Sequence, residues 1–221
     1  MQQQQREAIR QLAAAGQALG PAWDETLEAS FLIHGHICGG MPLGFRAGVA
    51  ALEALGIDRE ANMAHLVFVE TGTGHAAGCF ADGVQTATGC TFGKGLIERT
   101  GYGKWALNLV DIATRKAVRV SVKPEVMKSA LASPFVKMRH QGVPPTEVPL
   151  DVSRPLVEKL LGRSNEELFT VSGLFEYALP ARTASCFETV NCSRCGELVA
   201  ENKVRVKEGK PVCLPCSGHK R

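Results

Sequence analysis

The stretch FLIHGHICGGMPLGFR, residues 31–46, sets three metal-binding side chains, His34, His36 and Cys38, at every second position among four glycines. A glycine inside a helix costs roughly 1 kcal/mol relative to alanine, so the ligand run is expected to be extended. In an extended chain, side chains at i, i+2 and i+4 project to one side, which aims two imidazoles and a thiol at one point. Helices are expected on both sides of it. Upstream, Leu27 and Phe31 stand one turn apart with Asp24 placed as an N-cap; downstream, Phe45, Val49 and Leu52 recur at helical spacing until Gly56. Cys38 therefore falls just before a helix N-terminus.

Further outward, Ile9, Leu12 and Leu19 give a helical period from Arg6 onward, stopped by Gly20-Pro21. HLVFVET, residues 65–71, is nearly continuous and apolar, the pattern of a strand buried on both faces. Two glycine-rich loops follow, TGTGHAAGC and TGCTFGKG, with Asp82 expected to cap a short helix between them. Trp105 to Ile112 and Val118 to Val122 alternate around polar Thr114-Arg115-Lys116, which reads as an antiparallel hairpin. Pro124 and Pro134 each open a helix, and VPPTEVP at 143–149 is a stiff connector. Ser153 is expected to cap a helix from Pro155 to Leu161, and Ser164 with Glu167 matches a capping box. Leu174 to Leu179 reads as a returning strand. The fold class is α+β, with a mixed or antiparallel sheet and packed helices.

At 221 residues, 45% hydrophobic and 21% charged, the chain has room for one sizeable core and a small appendage. A formal charge of +3 is too small to make nucleic acid or anionic lipid the expected main partner. The opening MQQQQREAIRQ lacks the apolar centre of a secretory signal, and no run of about 18 uncharged apolar residues occurs. A cytoplasmic protein is the expectation. Eight cysteines, four of them in two CxxC pairs, then suit metal thiolate chemistry better than disulfides.

Cys192-x-x-Cys195 and Cys213-x-x-Cys216 stand 17 residues apart, a spacing that brings two thiolate pairs around one tetrahedral zinc. So short a segment buries too little apolar surface to fold alone, and a structural Zn²⁺ supplies what is missing. Lys203 to Val206 and Pro211-Val212 flank Glu208-Gly209, which predicts a hairpin between the pairs. Composition shifts after Pro180, so a core over residues 1–185 and a four-cysteine zinc finger over 186–221 are expected. The finger's lysines and arginines offset the charge of four thiolates without nucleic acid.

His34-Gly-His36-x-Cys38 with Gly40, Gly44 and Arg46, Cys79-x-x-Asp82-x-x-Gln85, Thr88-Gly-Cys-Thr-Phe-Gly-Lys94-Gly and Tyr102-Gly-Lys104 follow one another in order. Together they resemble the FmdE family, named for a component of formylmethanofuran dehydrogenase, a molybdenum or tungsten enzyme of methanogenesis. The resemblance covers about residues 25 to 180, and the tail is similar to the treble-clef finger appended to such proteins. It implies an α+β core, a homodimer, a pocket lined by the His/Cys residues, and molybdenum or tungsten enzyme subunits as partners.

The residues themselves offer a second transition metal, Zn²⁺ among the candidates, held by His34, His36, Cys38 and Cys79. Three protein ligands plus water would make a Lewis acid; four would close the site. Asp82 or Glu70 would orient the ligands from behind. As catalytic residues the sequence nominates Cys38, as ligand or nucleophile, with His36 and Lys94. Lys94, Gln85 and Asp82 are the candidates for holding a small anionic ligand beside the metal. The segment from Gly89 to Lys94 looks like a phosphate loop but is one residue short of a Walker pattern. Cys79 to Gln85 and Cys90 to Lys94 are the expected opposite walls of the pocket. A noncatalytic metal carrier or regulator whose zinc finger docks protein or nucleic acid is the competing class, and a thiol redox protein using Cys38 with Cys79 or Cys90 is a third.

Overall fold

The structure, a computed structural model, describes residues 3–15, 23–73, 77–181 and 185–219. The stop at Gly20-Pro21 and part of the loop at 71–79 lie outside the described residues. The chain divides into two compact units, Met1–Leu179 and Pro180–Arg221.

The first unit begins with α1 (Gln3–Ala15), α2 (Asp24–His34) and α3 (Gly40–Leu55). Asp24 is the first helical residue of α2 rather than its cap, a role taken without a side-chain bond by Trp23. The helix α3 is the centre of the unit, buried from Met41 through Leu52 and ended by Gly56 in the left-handed conformation. After it come β1 (His65–Val69), α4 (Gly78–Thr88), β2 (Ile97–Arg99), β3 (Ala106–Asp111) and β4 (Lys116–Val122). Next are α5 (Pro124–Leu131), α6 (Pro134–His140), α7 (Leu150–Leu161), α8 (Asn165–Leu168), β5 (Phe169–Val171) and β6 (Phe175–Glu176).

The sheet runs β2-β1-β3-β4-β5, with β6 also on β4. Only β1 and β2 are parallel; β3 and β4 form the expected antiparallel hairpin. The strand β1 is buried along Leu66 to Val69, as its continuous apolar run requires. One apolar cluster fills the space between α3 and the sheet, and a second joins α1, α2, α3 and α7.

Later boundaries also differ from the sequence reading. Helix α7 starts at Leu150 and runs through Pro155, and buried Ser153 donates to the Pro149 carbonyl at 3.2 Å instead of capping. Pro155 lies in the second turn, so its missing N–H forgoes the bond to the Asp151 carbonyl. The returning strand shrinks to two exposed residues in β6, while β5, straight after the capping box of Ser164 and Glu167, is missed. Arg46 is buried; its Nη1 donates to the Leu161 carbonyl at 2.8 Å and its Nη2 to Asn165 Oδ1 at 2.9 Å, satisfying the end of α7.

Two glycines set the crossing that matters most for function. A Cβ at Gly44 would overlap the Phe80 carbonyl oxygen, and one at Gly83 would overlap that of Met41, so α3 and α4 touch backbone to backbone. That approach carries Cys79, in the first turn of α4, against Gly40 at the start of α3.

The second unit holds β7 (Thr189–Asn191), β8 (Leu198–Ala200), β9 (Val204–Lys207), β10 (Lys210–Cys213) and α9 (Leu214–Ser217). The strands pair as β7–β8 and β9–β10. Glu208 and Gly209 turn the second hairpin with φ of 53° and 73°, the twist that suits a two-residue hairpin loop. No helix among the described residues is long and apolar enough to cross a membrane.

Candidate metal centre

His34 is the last residue of α2, not part of an extended run. Gly35 ends the helix at φ 86°, its N–H donating to the Phe31 carbonyl at 2.9 Å, and the reversal folds His36 back beside His34. The local reason is that one left-handed glycine terminates a helix at no steric cost, so glycines after a ligand do not forbid helix before it. The two imidazole centroids are 4.1 Å apart. Cys38 follows, buried, just ahead of α3, and α4 brings in Cys79.

The ligand atoms of His34, His36, Cys38 and Cys79 all lie within 4.8 Å of one another. His34 Nε2 is 3.2 Å from His36 Nε2 and 3.4 Å from Cys38 Sγ. A tetrahedral zinc with bonds of about 2.0 Å to nitrogen and 2.3 Å to sulfur has edges of roughly 3.3–3.8 Å, so the spacing fits such an ion. The other nitrogen of His34, Nδ1, is 2.8 Å from Asp82 Oδ2. That contact leaves Nε2 for the metal, the usual carboxylate–histidine–metal arrangement.

Asp82 can do this because it does not cap α4. The helix begins at Gly78, which puts Asp82 one turn beyond Cys79 on the same face. The side chain of His34 is only 5% exposed, so its ring nitrogens depend on these protein partners.

The charges are arranged so that an arriving cation displaces protons from the donors into solvent. Burial works against the imidazolium of His34, yet hydrogen bonds to Asp82 and Cys79 outweigh it and hold its pKa up to about 9. The hydrogen bond between the two thiols is the largest influence on both: it pushes Cys79 far down and, with burial, pushes Cys38 up. The backbone N–H groups of Met41 and Gly40 do favour a Cys38 thiolate, as its place before α3 suggests, but they are outweighed. The metal-free pair is thus one thiolate and one thiol. An ion taking all four donors would displace the Cys38 proton and one from the His34 imidazolium.

His36, Cys38 and Cys79 open onto a cavity of ≈ 460 Å³. Its other walls are Leu43 and Leu156, Trp105, and side chains of α5 and α6, including Met127, Leu131, Phe135, Arg139 and His140. The expected walls from Gln85 and from Cys90 to Lys94 are not among the residues that line it. Gln85 Oε1 accepts from the Phe92 N–H at 2.8 Å, and Lys94 Nζ lies 3.4 Å from the Glu60 carbonyl. Cys90 is fully buried and burial pushes its thiol up to about 11, which suits packing rather than redox chemistry. Glu70 is engaged elsewhere, by Arg119 and Asn108. The α5–α6 wall and Trp105 lie too far along the chain for any local motif to announce them.

In the second unit, Cys192, Cys195, Cys213 and Cys216 also place their sulfurs within 4.8 Å of one another, with Cys195 and Cys213 at 3.9 Å. Backbone N–H groups of Cys195 and Cys213 hold the Cys192 thiol down to about 6. A cysteine turn, a hairpin and a short helix follow in the order of a treble clef, and the cluster is a structural zinc site.

Comparison with known proteins agrees with this layout. Residues 187–218 match the family described as prokaryotic dksA/traR C4-type zinc finger. A protein from Archaeoglobus fulgidus described as a "Probable S-adenosyl-L-methionine-binding protein" is 34% identical over 196 residues, 84% of this chain. The chain spans 50% of that relative's length. The crystal structure of a tungsten formylmethanofuran dehydrogenase FmdE-like protein from Syntrophus aciditrophicus shares the fold, with a TM-score of 0.57 at 23% identity over 89% of this chain and 92% of that one. Residues 33–170, which contain the His/Cys quartet and the helix crossing that assembles it, match the family described as FmdE, molybdenum formylmethanofuran dehydrogenase operon, and the chain belongs to the FmdE family.

Proposed function

We propose that the core holds a transition metal ion, zinc being the best fit, in the wall of a small-molecule cavity, and that binding there serves molybdenum- or tungsten-dependent formylmethanofuran dehydrogenase-type metabolism. The observation that carries the metal is the quartet itself: four donors within 4.8 Å, with Asp82 on the far nitrogen of His34. Three of the donors line the cavity, so a ligand there could reach the ion if it expands to five-coordination, and the ion would act as a Lewis acid. Cys38 and His36 keep the roles nominated for them, at the reacting face. Lys94 and Gln85 have no place in this reading, since their side chains bond elsewhere. The dehydrogenase setting is supported by the description of the matched family and by the name of the structural relative. A homodimer in contact with molybdenum or tungsten enzyme subunits belongs to the same proposal.

The ligand named for the Archaeoglobus relative, S-adenosyl-L-methionine, has a carboxylate that suits Arg139. Its ammonium and sulfonium charges meet no acidic side chain among the described residues lining the cavity.

X-ray absorption at the zinc edge tests the proposal on the zinc-loaded chain. Two occupied sites give on average about three sulfur and one nitrogen neighbours per zinc, whereas a finger alone gives about four sulfurs. One observation favours a second reading, a thiol redox pair: the sulfurs of Cys38 and Cys79 lie within 4.8 Å of each other, and the hydrogen bond between them pushes the Cys79 thiol down. That reading requires a Cys38–Cys79 disulfide under mild oxidation that excludes the core metal, and mass spectrometry detects it.

A further inference from the structure

The cavity beside the quartet has a charge pattern that its metal does not explain. Two thiolates offset the charge of a divalent ion, so the loaded quartet adds no net charge to the cavity. Among the described residues that line it there is no aspartate or glutamate, and Arg139 is the one guanidinium. Arg139 stands in the last turn of α6 beside His140, and its Nη1 donates to the Val143 carbonyl, which fixes the side chain while leaving the rest of its donor fork for another acceptor. Most of the remaining lining is apolar, with Met127, Leu131, Phe135 and Leu156 contributing. A volume of ≈ 460 Å³ falls in the range that small-molecule sites occupy.

We propose that this cavity binds a small organic anion with an apolar body, whose carboxylate or comparable group is held by Arg139 and whose apolar part packs against α5 and α6 with its far end toward the metal. This rests on the reading of the quartet as a metal site in the cavity wall, and it assigns the anion contact to α6 instead of the Lys94 loop. Arg139 is itself exposed and Lys94 half-buried, so placement and shape decide between them: Lys94 does not line the cavity, and an ammonium is a geometrically undemanding partner. A guanidinium beside an apolar wall gives both orientation and a matched bidentate geometry.

Isothermal titration calorimetry of the full chain, with metal content measured on every sample, tests this. The probes are ω-phenyl carboxylates from phenylacetate to 6-phenylhexanoate, each paired with its alcohol of equal length. At least one carboxylate is expected to bind at one site per chain, about 10-fold or more tighter than its alcohol. Arg139→Ala should remove that preference and leave the alcohol unchanged, and Ala130→Phe, which narrows the cavity, should weaken both. Arg10→Ala, on α1, should change nothing. The proposal is overturned if no carboxylate binds, or if the preference survives Arg139→Ala. A chain that lacks a second metal equivalent yet keeps the Arg139-dependent preference would sink the metal reading and leave the anion site standing.

Discussion

Asp82 Oδ2 lies 2.8 Å from Nδ1 of His34, across the packing of α4 against α2. The contact fixes the tautomer of a histidine whose Nε2 faces three other donors. Asp82→Ala is therefore expected to weaken core metal binding by about 10–100-fold while leaving the finger metal in place. Competition with a chromophoric chelator, read for the two sites separately, checks it. Equal loss at both sites would count against a specific role for Asp82.

The backbone contact between α3 and α4 makes a second prediction. Gly44→Ala and Gly83→Ala each force a methyl group into a carbonyl oxygen, and overpacking of this kind typically destabilises by about 1–3 kcal/mol or more. Cys79 reaches the quartet through this crossing, so core metal should be lost before the fold is. Denaturant titration together with metal analysis tests the pairing of the two effects. Gly48→Ala, where a Cβ would meet the Ala87 methyl at 2.8 Å, should also destabilise, because an alanine methyl moves only with its backbone, but by less than the two substitutions that drive a methyl into a carbonyl oxygen.

Glu70 and Arg119 set a pH dependence away from the metal. Arg119 donates to both carboxylate oxygens, at 2.6 and 2.7 Å, and this holds the Glu70 pKa below its usual 4.5 in spite of burial. A depressed carboxylate pKa stabilises the fold fully above the unfolded value and loses that contribution as pH falls through the folded value. Arg119→Met should destabilise by roughly 1–3 kcal/mol at neutral pH, discounted for the partly open arginine. The deficit should vanish as pH drops through the range in which Glu70 takes up its proton. Denaturant midpoints from pH 7 downward measure it, and a deficit that persists in acid would point to packing alone.

The finger should depend on its metal for folding. Among its described residues, only Cys192, Val212 and Cys213 are buried in a small apolar cluster, which is too little to hold so short a segment. Cys213→Ser should remove one metal equivalent and open residues 187–218 to proteolysis, with the core resistant. Limited proteolysis followed by mass spectrometry reads this directly.

How much is legible in the sequence follows from the distance between partners along it. Both halves of the finger ligand set, and three of the core donors, lie within local spacings, and the chain order of motifs carries the family. The local geometry is harder. The alternation of His34, His36 and Cys38 reads as an extended segment, whereas Gly35 closes a helix on His34 and returns the chain. Aspartate favours helix starts, which suggests a cap at Asp82, but α4 begins four residues earlier and frees its carboxylate for His34. Lys94 stands close in sequence to Cys90, yet its loop carries it to the Glu60 carbonyl. The cavity wall of Trp105 and α5–α6 exists only once the sheet and α7 have placed it, and no short motif encodes such a juxtaposition.

Metal content per chain is the most direct measurement of all. Mass spectrometry of the metal-loaded full chain should find two equivalents, falling to one in Cys38→Ser/Cys79→Ser with the finger equivalent retained. One equivalent in the unaltered chain, unchanged by those two substitutions, would contradict a metal site in the core.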